Sequence, residues 1–199
     1  MGINLQKGQK IDLTKGNEGL TDLLVGLGWD AAKPAGGGLF NAFKSAPSID
    51  CDVSVLMLGA DDKLITEKDV IYFGNLTHKS GAVKHMGDNL TGDGDGDDEQ
   101  IFINLSKIPA NIEKIVFVVN IYNAVVRKQH FGMIKNAFIR ILDSKKKTEL
   151  LRFNLSDNYT DKTALFTGEV YRYNKEWKFA AIGEGTTDKG LKEIIQKYI

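Results

Sequence analysis

Residues 87–99 read Gly87-Asp88-Asn89-Leu90-Thr91-Gly92-Asp93-Gly94-Asp95-Gly96-Asp97-Asp98-Glu99, six carboxylates and four glycines with no Lys or Arg among them. Carboxylates a few ångströms apart raise one another's pKa unless a cation lies between them. Hard oxygen donors at short spacing suit Ca²⁺, which takes about 6 to 8 oxygens. A solvated acidic loop would explain the acids alone. The alternation of Asp with Gly favours a coordinating loop, because glycine lets the backbone turn carbonyls and carboxylates inward. The pattern is not an EF-hand: Asp93, Asp95 and Asp97 fit its first three ligand positions, but the sixth would be Asp98 rather than Gly and the twelfth Asn104 rather than Glu. The Gly/Asp unit occurs once, which excludes a repeated calcium β-helix.

A second acidic pair, Asp50-Cys51-Asp52, opens an apolar run, and strand geometry places Asp50 and Asp52 on one face. Like charges side by side are costly without a cation. Three readings stand: both acids sit at a solvent edge, the pair completes the metal site of residues 88–99, or Asp50 is an aspartyl-phosphatase nucleophile. The last fits poorly, since such nucleophiles end a buried parallel strand, whereas here the apolar run follows the acids. Asp50, Asp52, Asp88, Asp93, Asp95, Asp97, Asp98 and Glu99 carry a formal −8, which two Ca²⁺ would reduce only to −4, so two ions are expected. Asn89 and Thr91 can add neutral oxygens, and Asp30 beside Trp29 can contribute its carboxylate or its backbone. His78, His85 and His130 lack zinc-ligand spacing and read as surface or loop histidines. Gly-x-Ser-x-Gly, P-loop and Rossmann fingerprints are missing, so no hydrolase machinery is visible.

The formal charge is zero, with 26 basic and 26 acidic residues, so the chain outside residues 88–99 carries +6. That mildly basic body has no nucleic-acid-binding signature, and a lysine-rich solvated surface explains it. Cys51 is alone, which suits a reducing compartment. The N-terminus has no apolar signal region and no stretch approaches 18 apolar residues, so no transmembrane segment and a cytoplasmic location are expected.

The elements that must position these acids read as strands. Short β-branched and aromatic runs recur at Leu23–Trp29, Val53–Leu58, Val70–Phe73, Ile101–Leu105, Ile115–Ile121, Ala137–Leu142, Leu150–Leu155, Ala164–Tyr173 and Glu176–Ile182, divided by turn residues. Tyr173-Asn174-Lys175-Glu176 reads as a hairpin turn. A mainly β fold follows, an antiparallel β-sandwich in one domain over residues 1–199. One amphipathic helix is predicted at the C-terminus, capped by Asp188 and docking Leu191, Ile194, Ile195 and Tyr198 on the sandwich. Residues 33–47 read as a surface loop, and Trp29 and Trp177 as core aromatics.

Several segments together resemble the TerD family of tellurium-resistance and stress proteins. They are Gly28-Trp29-Asp30, Asp50-x-Asp52-x-Ser54, the acidic motif of residues 87–99, Phe131-Gly132 with Asn136-Ala137-Phe138-Ile139-Arg140, Leu155-Ser156-Asp157-x-Tyr159, and Gly168-Glu169-x-Tyr171-Arg172 with Glu176-Trp177-Lys178-Phe179. Their order and spacing match over nearly the whole chain. Departures are the insertion at residues 33–47, Cys51 and Val53 in place of commoner Leu and Ala, and Phe73-Gly74-Asn75 where Tyr-Asn-Asn is usual. The resemblance implies a cytoplasmic bacterial β-sandwich that binds two Ca²⁺, serves stress survival without catalysis, and works beside related stress proteins and a membrane partner protein. Two other classes remain open: a Ca²⁺-dependent module docking on anionic membranes, and a metal-dependent phosphotransferase using Asp50.

Overall fold

The computed structural model describes residues 2–31, 49–87 and 96–199. The strands are β1 (Ile3–Leu5), β2 (Lys10–Asp12), β3 (Asp22–Ala31), β4 (Cys51–Leu58), β5 (Val70–Ile71), β6 (Val83–His85), β7 (Glu99–Asn104), β8 (Lys114–Ile121), β9 (Ile134–Asp143), β10 (Thr148–Asn154), β11 (Ala164–Tyr173) and β12 (Glu176–Thr186). Two short helices join them, α1 (Ala124–Arg127) and α2 (Leu191–Gln196). One six-stranded sheet, sheet A, runs β1-β10-β9-β3-β7-β6, and the other, sheet B, runs β2-β12-β11-β8-β4-β5.

Side-chain alternation explains how the sheets stack. In β7, Glu99, Ile101 and Ile103 are buried while Gln100, Phe102 and Asn104 are half-exposed, the signature of a strand with one face in the core. In β8, Ile115, Phe117, Val119 and Ile121 point into the core between the sheets, joined there by Cys51, Val53, Val55 and Met57 of β4. The opposite faces of these strands are apolar only along part of their length. Leu56, Leu58, Val116 and Val118 form a second cluster that α2 and the residues after it cover with Leu191, Ile194, Ile195 and Tyr198. Asp52, Ser54 and Asn120 continue the same face past the covered part, because Asp52 lies opposite Asn120 and Ser54 opposite Val118.

The predicted mainly β sandwich is observed, with two differences. Strand β1 pairs in parallel with β10, while the other named strand pairs are antiparallel. A three-residue edge strand at the chain start has no hairpin to dictate its direction. The C-terminal helix is only six residues long, with Gly190 at its N-cap and Ile194 its single buried residue, so it is too short to show a clear amphipathic stripe. Asp188 accepts instead from Thr186 Oγ1 and Lys197 Nζ. The β11–β12 turn is as expected: Tyr173 pairs with Glu176, and Asn174 and Lys175 take positive φ of 50° and 67°, the handedness a two-residue hairpin needs. The run at 70–73 is strand only at Val70–Ile71. The loop expected at residues 33–47 lies outside the described residues.

Candidate functional site

The acidic motif enters β7 beside two glycines of β3. Gly26 faces Gln100 of β7 and Arg140 of β9, and a Cβ at Gly26 would lie 2.2 Å from the Asp97 carboxylate. Only glycine admits that carboxylate onto the outer face of sheet A. There Arg140 grips both of its oxygens, Nε at 2.7 Å and Nη2 at 3.1 Å, and Gln100 Nε2 donates to Oδ2 at 3.1 Å. Arg140 also reaches Glu149 at 3.3 Å. The Asp97 carboxylate beside it, first of all, raises the Arg140 guanidinium above its usual range.

Asp98 turns the other way. Its backbone N–H donates to Leu27 O at 2.8 Å, and its Oδ2 accepts the Trp29 N–H at 2.6 Å, where the β3–β9 register shifts between Gly28 and Asp30. Its side chain is buried, and burial pushes its carboxyl upward, further raised by Asp30 and Asp97 and opposed by the one N–H of Trp29. Glu99 is buried as well, with Oε2 2.9 Å from Nε2 of the buried His85. The Gly87 N–H donates to His85 Nδ1 at 3.2 Å, which leaves the neutral ring's proton on Nε2, facing Glu99. Asp30 is exposed and accepts from Asn136 Nδ2 at 2.7 Å.

The β4 acids flank a buried thiol. Cys51 points into the core, so Asp52 takes the opposite face of β4, while Asp50 precedes the strand. Asp50 Oδ2 lies 3.7 Å from Arg127 Nη1, and Asp50 O accepts the Tyr122 N–H at 2.7 Å. Burial above all, then the charges of Asp52, Asp50, Asp98 and Glu99, drive the Cys51 thiol well above its usual value. The charges of Asp50, Asp52, Asp98 and Glu99 each raise the Cys51 thiol, and those of Asp30 and Asp97 raise Asp98. Asp97 faces Arg140 instead. Asp88, Asn89, Thr91, Asp93 and Asp95 lie outside the described residues. Among the described residues, no group of three or more His, Cys, Asp or Glu is gathered in a way that could hold a metal by itself. The oxygens that are described fit calcium in kind, being hard carboxylates buried among other acids, and would need the rest of the motif to complete a shell.

His85 differs from expectation, being a buried strand residue, and His78 keeps the expected loop position but is buried too, because each faces a buried acid: His78 Nε2 is 3.1 Å from Asp69 Oδ1, and His85 meets Glu99. Ser80 Oγ lies 2.7 Å from His78 Nδ1, a Ser-His-Asp order, but Ser80 Oγ also accepts the Ala82 N–H and Asp69 Oδ2 the Thr66 N–H. That set ties two turns together. His85 carried a readable signal, since it alternates with Val83 towards the core; Arg140, a lone cation amid Ala137–Leu142, carried another. The phosphatase reading of Asp50 meets an antiparallel environment, as β4 pairs antiparallel with both β5 and β8.

The TerD domain family matches residues 1–198. The chain is 58% identical to stress response protein SCP2 of Bacillus subtilis (strain 168), over the full length of both. It is 39% identical to tellurium resistance protein TerD of Serratia marcescens, over 100% of this chain and 97% of that one. In fold it is similar to a solved protein of unknown function, with a TM-score of 0.67 and 21% identity over 89% of this chain and 96% of that one.

Proposed function

The chain belongs to the TerD family of stress-response and tellurium-resistance proteins, and on that premise we propose that it is a calcium-binding, non-catalytic stress module of the bacterial cytoplasm. The observation that carries the reading is the burial of Asp98, 6% exposed, beside the buried Glu99 at the end of the acidic motif, with the Trp29 N–H as its donor among the described residues. Burying Asp98 among acids costs stability in the metal-free protein, and a dication at this end of the sandwich relieves that cost. Asp98, Glu99, Asp50 and Asp52 would supply anionic oxygens from the described residues, and Asp88, Asn89, Thr91, Asp93 and Asp95 would supply the remainder for two ions. Asp97 would anchor the loop through Arg140, and Asp30 would add its charge from the rim. The protein would then act with related stress proteins and a membrane partner protein. No helix among the described residues is long and apolar enough to cross a membrane.

Isothermal titration tests the reading: about two Ca²⁺ per chain, bound in preference to Mg²⁺, which demands a stricter octahedral shell. No calcium heat from folded protein would overturn it. A second reading, calcium-dependent docking on anionic membranes, is favoured by one observation. Helix α1 exposes Val125 at 58% and Val126 at 82%, beside Arg127 and Lys128 and close to Asp50. Co-sedimentation with anionic liposomes that needs calcium and is lost on Val126→Ser would establish it, and liposome binding indifferent to EGTA would reject it.

A further inference from the structure

The outer face of sheet B changes character where α2 stops covering it. Leu56, Leu58, Val116 and Val118 are roofed by α2 and the residues after it, but beyond them the same face carries Asp52, Ser54 and Asn120. These three line a cleft of about 350 Å³ together with Phe73, Tyr122, Asn123 and residues 189–193. Ser54 is 1% exposed and Asn120 5%, yet Ser54 Oγ and Asn120 Oδ1 have no hydrogen-bond partner. Two adjacent buried oxygens left without donors are expensive, and native structures keep such groups for a water, an ion or a ligand.

The chemistry of the surroundings selects the ligand. Asn120 Oδ1 accepts, Ser54 Oγ can accept as well as donate, and Asp52 adds negative charge, so the cleft suits a donor-rich cation. A primary ammonium, with three N–H donors, matches it. A divalent metal does not, because it needs more oxygens than these three residues offer and because Lys189 and Lys192 stand on the rim. Those two lysines suit an anion on the same molecule, and Lys189, 3.8 Å from Glu193, is exposed and free to turn. Phe73 and Tyr122, 58% and 45% exposed, give a short apolar wall between the two poles.

We propose that this cleft binds a small zwitterion, a primary ammonium seated on Ser54, Asn120 and Asp52 with a carboxylate or phosphate a few bonds away under Lys189 and Lys192. The cleft shares Asp52 with the calcium reading, but the proposal rests on Ser54 and Asn120, which that reading does not use. The ligand could come free in solution or as a lipid headgroup, since an amino acid, phosphoethanolamine and phosphatidylethanolamine share this chemistry.

The test uses the full chain in EGTA, with amide NMR shifts and melting temperature read against glycine, phosphoethanolamine, phosphocholine and inorganic phosphate, and against vesicles with and without phosphatidylethanolamine. Glycine or phosphoethanolamine should move resonances of Ser54 and Asn120, and phosphocholine, which has no N–H, should bind at least roughly tenfold more weakly. Response to the soluble amines points to a free ligand; response only to phosphatidylethanolamine vesicles points to the headgroup, and either supports the proposal. Ser54→Ala and Asn120→Val should melt no lower than wild type without ligand, because each removes an unsatisfied oxygen, yet lose amine binding by about tenfold or more. If Asn120→Val fails to fold, Ser54→Ala carries the test. Absence of binding by any amine, equal binding of phosphocholine, or unchanged amine affinity in Ser54→Ala would overturn the proposal. So would variants that lose calcium uptake in a parallel titration while no amine binds, which would make the cleft a metal site.

Discussion

Asp143 and Asp98 both expose little surface, 4% and 6%, but Asp98 lies deeper among other groups, and their carboxyls shift in opposite directions. At the β9–β10 turn, the Lys146 N–H, against the cost of burial, and the Lys145 N–H hold Asp143 below its usual value, with Asp143 Oδ1 accepting at 2.9 and 3.0 Å. At the opening of β7, burial raises Asp98 and its acidic neighbours raise it further. The first acid is buried with donors that satisfy it, so it serves the fold. The second is buried with one N–H and more acids, an arrangement that stabilises nothing by itself and suits a cation supplied from outside. Asp97, one residue from Asp98, has its hydrogen bonds satisfied as Asp143 has, since Arg140 holds both of its oxygens.

The largest expected effect lies at that third acid. Arg140→Met leaves the Asp97 carboxylate, whose side chain is 1% exposed, without its cation, and should cost about 3 kcal/mol in denaturant unfolding. A loss under about 0.5 kcal/mol would place Asp97 with Asp98 and break the distinction. Gly26→Ala, which drives a Cβ into the same carboxylate, should cost about 1 to 3 kcal/mol.

Next in size is Asp143→Ala, expected to cost about 2 kcal/mol at neutral pH because two turn N–H groups lose their acceptor. Its pH dependence fixes the sign. A lowered folded pKa contributes stability fully present above the ordinary 3.8 and lost as pH falls through the folded value. The wild-type advantage over Asp143→Ala should therefore shrink only below pH 3.8. Asp98 should do the reverse in EGTA: with its folded pKa raised, stability falls as pH rises from 3.8 through the folded value. Urea titrations of wild type, Asp143→Ala and Asp98→Asn across that range check both signs, and parallel profiles would contradict the comparison.

Much of the fold was legible because alternation is local. The inward Ile115, Phe117, Val119 and Ile121 of β8 and the Asn174-Lys175 turn each announce themselves within a few residues. The parallel pairing of β1 with β10 was not, since it is set by residues about 150 apart. The site divides the same way. That Asp52 lies on the face opposite Cys51 follows from strand geometry, whereas the opposite fates of Asp97 and Asp98 depend on Arg140, 43 residues on, and on Trp29, 69 residues back. Gly26 and Gly28, alternating on one face inside an apolar strand, were the local hint that something must approach closely there. The burial of His85 and the unsatisfied Ser54 and Asn120 had only their strand phase to reveal them.

The smallest effect in the metal-free protein carries the most meaning. Asp98→Asn keeps an acceptor for the Trp29 N–H while removing the buried charge, so in EGTA it should melt at or slightly above wild type. Calcium binding only the folded state adds RT ln(1 + [L]/Kd), about 2.7 kcal/mol at a hundredfold excess over Kd, and that gain should appear in wild type and largely vanish in Asp98→Asn. Paired melts of the two proteins, with EGTA and with millimolar CaCl₂, test the central claim most directly. The account predicts that their order reverses: the variant equal or higher in EGTA, wild type clearly higher in calcium. Melts that calcium leaves unchanged in wild type, or raises equally in both proteins, would contradict it.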